Sequence, residues 1–183
     1  RVSVPRRSLV FLVWAPLLVI ALTIIYQRRI GDYAGYLVVG DLGLSGRDIY
    51  RDAPPGINTW PPLFGLACIP LAWLSHLSII GARIGWMFFG WGALLVSLAC
   101  SIRLVHGRRL VLAGFSRGVG IDVTTSAALL PLLLSIRWIL ANFEHLQVNI
   151  AILALTLLGL VYHRERHDRP AGLLIGLAAA LKL

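Results

Sequence analysis

Apolar and polar positions alternate along this chain in long blocks rather than at short helical or strand periods. About 20 consecutive apolar residues are needed to carry a helix across a bilayer's hydrocarbon core. Windows at about 8–26, 60–80, 84–105, 121–141 and 147–162 meet or approach that length, and another starting near residue 171 runs to the last residue, 183. The polar links between them are unequal: a long one at 27–59, a minimal one at 81–83, a basic one at 106–120, a short one at 142–146 and an arginine-rich one at 163–169. Pro16, Pro70 and Pro131 fall inside the apolar windows. Neighbouring helices can satisfy the carbonyls they free, so they mark kinks there rather than breaks. The reading is an all-α, polytopic transmembrane helix bundle, the N-terminal part of one multi-pass membrane domain.

The 27–59 link is too long to be structureless in a compact domain. Within it Tyr33, Tyr36, Leu37, Gly40 and Leu44 follow helical spacing, and Asp32 stands where an N-cap would. A short amphipathic helix on the membrane surface, in the first extracytoplasmic loop, is expected there. Tyr33, Tyr36, Tyr50 and Trp60 suit the headgroup level, where rings with one polar edge are favoured.

Composition agrees: 58% of the residues are hydrophobic and 14% charged, with mean hydropathy +0.81, more than one soluble core could bury. The net charge of +9 comes almost wholly from arginines between apolar runs. There, anionic lipids and orientation signals explain them without nucleic acid. Arg1, Arg6 and Arg7 put the N-terminus on the cytoplasmic side and the 27–59 link outside the cell membrane. Counting onward puts the arginine-rich 106–120 and 163–169 links outside as well, against the positive-inside rule. One window is therefore expected to cross only halfway, with 121–141, which holds Pro131 and Arg137, the first choice. Cys68 and Cys100 lie in apolar runs and read as packing residues.

Four of the eight acidic residues, Asp32, Asp41, Asp48 and Asp52, fall in the 27–59 link. From the residues alone Asp32 reads first as a helix cap, and the other three as solvated turn residues. Lys182 is the only lysine, about 16 Å into the last apolar window by helical rise. An ionisable group at that depth reads as functional unless it snorkels to an interface. Arg137 and Glu144 are two helical turns apart, which fits a structural ion pair. Gln147 and Asn149 fit interhelical hydrogen bonding.

Three groups of residues carry a family resemblance. One is Asp32, Tyr33 and Tyr36 followed by Gly46, Asp48 and Tyr50; another is Trp60-Pro61-Pro62-Leu63-Phe64. The last is the block from Arg137 through Asn142 to Asn149, then Arg169-Pro170 and the run from Ala171 to Lys182. In this order they resemble the GT-C membrane glycosyltransferases, and among them glycosyltransferase family 87, the polyprenyl-phosphate-mannose-dependent α-1,2-mannosyltransferases. Leu146 departs from the family, which usually has glycine before the Gln-x-Asn piece.

The resemblance implies a GT-C-type bundle and an inverting transfer of a hexose, mannose first. The donor would be a polyprenyl-phosphate sugar and the acceptor a hydroxyl of a glycolipid or glycan. Asp32 would be the catalytic base, with Tyr36, Asp48, Tyr50, Arg137, Gln147, Asn149 and Lys182 on the substrate side and Lys182 at the lipid phosphate. A lipid-linked donor also fits the lack of any nucleotide-binding fingerprint. The alternative is a polytopic transporter or lipid-linked-sugar flippase, although ion-coupled transporters place their acids at the midplane and these lie in a surface loop. No cofactor is expected, since neither His-Glu-x-x-His nor Asp-x-Asp spacing is present. The full-length enzyme should accordingly keep its turnover in EDTA; loss on chelation with rescue by magnesium or manganese would overturn this.

Overall fold

A computed structural model describes residues 31–57, 60–111, 120–122 and 126–182. The first apolar window, 8–26, lies outside these. The order of elements is α1 Gly31–Leu44, α2 Pro62–Leu77, α3 Ile79–His106, β1 Arg109–Val111, β2 Gly120–Asp122, α4 Ser126–Leu134, α5 Ile136–Glu144, α6 Asn149–Arg164 and α7 Asp168–Lys182. The strands form one short parallel pair, Arg109 opposite Gly120. Among the described residues, everything else of regular structure is helix.

Local chemistry sets the boundaries. Pro62 opens α2 with Pro61 as its N-cap, where the missing N–H costs nothing. The break expected at 81–83 lies instead at Ser78, whose backbone is extended (φ −162°, ψ 110°) and whose hydroxyl accepts a hydrogen bond from the Gly81 amide at 3.0 Å. A serine cap with a donor three residues on starts a helix more strongly than Gly81 inside it can stop one. Helix α3 ends at Gly107 in the left-handed region (φ 65°), whose amide bonds Arg103, the usual glycine stop. Its 28 residues reach about 42 Å. Among the described residues it is the one helix long and apolar enough to cross a membrane, with α2 and α6 shorter apolar helices. Of the 121–141 window, residues 121–122 belong to β2, and 126–141 fall in two nine-residue helices, α4 and α5, parted at Ser135.

A helix is present in the expected loop as α1, but it is packed into the core rather than amphipathic with one face on a surface. Asp32 lies inside its first turn rather than ahead of it. The buried face is broad: Tyr33, Gly35, Tyr36, Val39, Gly40 and Leu42. Missing side chains let it dock along α2. A Cβ on Gly40 would fall 2.4 Å from the Cys68 carbonyl oxygen and 2.6 Å from the Ala72 Cβ, so the two backbones almost touch. The α6–α7 hairpin uses the same device, since a Cβ on Gly159 would meet the Ala171 carbonyl at 3.1 Å and Ile175 at 2.7 Å. Small residues at helix contacts are how helices associate where burial from water supplies no driving force. Leu66, Trp73, Leu77, Val105, Leu133, Leu134, Trp138 and Leu173 are exposed, an apolar exterior of the kind lipid covers.

At the closed end of the hairpin Arg164 donates to the carbonyls of Leu104 (2.6 Å) and Arg103 (3.4 Å), supplying donors to the last turn of α3. Arg103 pairs with Glu165, and His163 meets Asp168 at 2.9 Å. The last turn of α3 and the 163–169 link thus share one end of α6. Asn149, with Lys182 against it at 3.0 Å, lies at the other end, about 22 Å away by helical rise.

Gly40→Ala should lower stability by about 1–3 kcal/mol through overpacking. Gly85→Ala, whose Cβ meets nothing within 4 Å, should raise it by about 0.5–1 kcal/mol. Unfolding in detergent reads both, and equal effects would refute the close α1–α2 contact.

Candidate functional site

The site is built on the turn between α5 and α6. Asn142, 5% exposed, uses its side-chain amide to donate to the Gln147 carbonyl at 3.0 Å, while the Gln147 amide donates to the Asn142 carbonyl at 2.9 Å. Between them Leu146 adopts a left-handed backbone (φ 51°), and its carbonyl accepts the Trp86 indole N–H at 2.7 Å. The chain therefore reverses sharply with its backbone groups held, while the Asn142 side-chain oxygen is buried without a hydrogen-bond partner. It also presents the Gln147 side chain outward at the start of α6.

Helix α1 delivers Asp32 to that turn. Gly31 (φ +30°) passes so near His145 that a Cβ would lie 3.0 Å from both its Cα and its carbonyl oxygen, so only glycine allows this approach. One turn on, Tyr36 is buried, edge-on to Trp60 (5.2 Å between centroids) and Phe64 (4.8 Å), with a hydrogen bond to the Val148 backbone. Tyr33 packs against Trp86 at 6.5 Å, with the Arg83 guanidinium 5.8 Å from its ring centroid.

So positioned, Asp32 Oδ2 accepts a hydrogen bond from Gln147 Nε2 at 3.0 Å. Gln147 Oε1 accepts from Asn149 Nδ2 at 2.9 Å, and Asn149 Oδ1 accepts from Lys182 Nζ at 3.0 Å. Four polar side chains from α1, the α5–α6 turn, α6 and α7 thus form one unbroken chain of hydrogen bonds. A carboxylate stands at one end and an ammonium at the other. Asp32, Asn149 and Lys182 are exposed and Gln147 half-buried, so the chain lies open to a ligand. Burial pushes the Tyr33 phenol up to about 12, partly offset by Arg83. Burial, and then the Asp32 charge, pushes Tyr36 up further. At neutral pH both phenols keep their protons.

The other expected site residues stand apart from this chain. Tyr36 is 1% exposed and packs α1 against Trp60 and Phe64. Asp48 is exposed, and its Oδ1 accepts the Tyr50 amide at 2.8 Å and the Arg51 amide at 3.1 Å. These bonds hold its carboxyl below the usual carboxylate range, so it organises the loop. Tyr50 donates its hydroxyl to the Trp60 carbonyl at 3.0 Å, tying that loop to the start of α2. Arg137 is exposed on α5. Lys182, expected near the bilayer midplane while Asn149 opened its span, is level with Asn149, because α7 runs back along α6. Asn142 and Trp86 did not emerge as site residues from the sequence: a tryptophan in an apolar run signals packing, and one asparagine beside a span signals only its end.

Comparison with known proteins decides what this arrangement belongs to. The sequence profile of glycosyltransferase family 87 matches residues 58–183. The chain belongs to glycosyltransferase family 87. The chain is also 28% identical to the polyprenol-phosphate-mannose-dependent alpha-(1-2)-phosphatidylinositol mannoside mannosyltransferase of Mycolicibacterium smegmatis, over 83% of this chain and 36% of that protein. It thus spans about a third of its relative's length. No solved structure matches it.

Within the glycosyltransferase family 87 match lie Gln147, Asn149 and Lys182, while Asp32 precedes it. The turn also accounts for the departure at Leu146. A left-handed residue is where glycine is favoured, so the family pattern and this backbone agree on the conformation. Here leucine adopts it because its side chain packs on the core while its carbonyl is held by Trp86. The turn is tight with leucine in glycine's place.

Proposed function

We propose that this chain is the part of a membrane hexosyltransferase that carries its catalytic base. The full-length protein would move a mannosyl group from a polyprenyl-phosphate donor to a hydroxyl of an extracytoplasmic glycolipid or glycan. The observation that carries the reading is the hydrogen-bonded chain from Asp32 to Lys182, in a protein of a glycosyltransferase family. It sets a proton acceptor and a cation on one open face, the two groups that sugar transfer from a phosphate requires.

In the reaction Asp32 takes the proton of the acceptor hydroxyl as its oxygen bonds to the anomeric carbon. The bond from that carbon to the phosphate oxygen breaks on the opposite face, inverting the centre. The electron pair leaves with the lipid phosphate, which the Lys182 ammonium attracts. The named specificity of the mycobacterial relative supports mannose and a lipid acceptor. A transporter reading finds less support, since the carboxylate is fixed in a network beside an exposed surface.

Orientation follows from the charge ends. The arginine-rich end of the α6–α7 hairpin is cytoplasmic by the positive-inside rule, and Asp32 faces the opposite side. The half-crossing segment then falls before α3, in the short helix α2, rather than at 121–141. A cysteine placed at Arg166 in intact cells should react with an impermeant maleimide only after permeabilisation; labelling without it would reverse the orientation.

Asp32→Asn in the purified full-length protein should lower mannosyl transfer from synthetic polyprenyl-phosphate mannose by about 10²- to 10⁴-fold, the usual contribution of a general base, with donor binding and folding retained. Full activity of the mutant would remove Asp32 as the base, and solute transport by a wild type that ignores the donor would remove the transferase reading.

A further inference from the structure

The hydrogen bonds between Asp32 and Lys182 have a direction that chemistry imposes. A lysine ammonium can only donate, so Asn149 turns its carbonyl oxygen to it, at 3.0 Å. That leaves the Asn149 NH₂ group for the Gln147 carbonyl oxygen at 2.9 Å. Gln147 in turn has only its NH₂ group left to offer Asp32, at 3.0 Å. An ionised carboxylate can only accept, so the charges at the two ends fix both amides, and neither can flip without breaking two bonds. Their dipoles align head to tail between cation and anion, the arrangement in which each bond strengthens the next.

Gln147 is anchored from behind as well. Its backbone is held on both sides by Asn142, and the preceding carbonyl by Trp86. This is a fixed support rather than a side chain free to follow a substrate. We propose that Gln147 and Asn149 are positioning residues that act through Asp32, forming a relay whose polarity Lys182 sets. With Oδ2 held by Gln147, the plane of the carboxylate is fixed and Oδ1 is turned to the incoming hydroxyl. The inference rests on the proposed role of Asp32 and changes that of the two amides, from substrate contacts to supports of the base.

Asn149→Asp in the full-length enzyme separates the possibilities. The new carboxylate still accepts Lys182 as an ion pair, so a purely structural role for Asn149 is preserved, but it has no N–H for Gln147 and the relay is cut. Expected is a fall in kcat of about 10- to 100-fold, the scale on which a misplaced catalytic group acts, with donor KM within about twofold and unfolding temperature retained. Gln147→Met should give the same split, and serves alone if Asn149→Asp does not fold. Combined with Asp32→Asn, either change should add nothing further. A raised donor KM with kcat kept would make the amides donor contacts, and unchanged kcat and KM would make them interhelical glue; either overturns the relay while leaving Asp32 as base. Independently of turnover, Lys182→Met and Gln147→Met, whose side chains are joined only through Asn149, should destabilise non-additively. Additive unfolding shifts would overturn the relay even if the transferase reading had already failed.

Discussion

The reversal of the chain at Leu146 is the constraint on which the rest of the site depends. A leucine at φ 51° is disfavoured by contact between its Cβ and the neighbouring carbonyl, and the conformation persists only because its surroundings over-determine it. Trp86 holds the Leu146 carbonyl, Asn142 grips Gln147 from both sides of its peptide unit, and Gly31 fits against His145 with no room for a side chain. Two elements distant in sequence, α1 and α3, thus converge with α5 on one peptide turn. The polar side chains that leave it, Gln147 and Asn149, inherit fixed directions from a fixed backbone.

The same logic explains why glycine and alanine carry so much of the packing. In a bilayer, burying a leucine against another helix gains little over burying it in lipid, so helices are held by close approach and by polar contacts. Gly40 against Cys68 and Gly159 against Ala171 give the close approach. Arg164 on the end of α3 and the chain from Asp32 to Lys182 give the polar contacts. The interior is accordingly rich in small residues, Ala72, Ala82, Ala93, Ala151, Ala154, Ala171 and Ala178, with aromatic rings clustered where α1 meets α2 and α3.

Much of this was legible before any coordinates. Long apolar windows announce helices whatever their partners, and α2, α3, α6 and α7 lie within a few residues of where hydropathy puts them. Boundaries escaped where a side-chain cap decided them, as at Ser78. The 121–141 window escaped because hydropathy sums over a break that Ser135 makes without any loss of apolar character. At the site, residue types were legible and their connections were not. Gln147 and Asn149 stood out as polar groups at a span's edge and Lys182 as an isolated cation, but nothing in spacing says that α7 returns to the level of Asn149. Asp48 shows the limit plainly: a carboxylate that satisfies backbone amides two and three residues on has the same one-letter pattern as one that faces a ligand.

The open position of the relay bears on how it can work. Between exposed groups, water competes for every hydrogen bond and screens the charges at the ends, so in the unliganded protein the alignment from Lys182 to Asp32 acts at less than its full strength. A substrate changes that balance. A lipid phosphate near Lys182 and a sugar hydroxyl near Asp32 would displace water from the same face, and in the lower local dielectric each dipole would act more strongly on its neighbour. Hydrogen bonds that hold the carboxylate loosely in the free enzyme would then hold it firmly when both substrates are in place, which is the condition under which removing a hydroxyl proton leads to transfer.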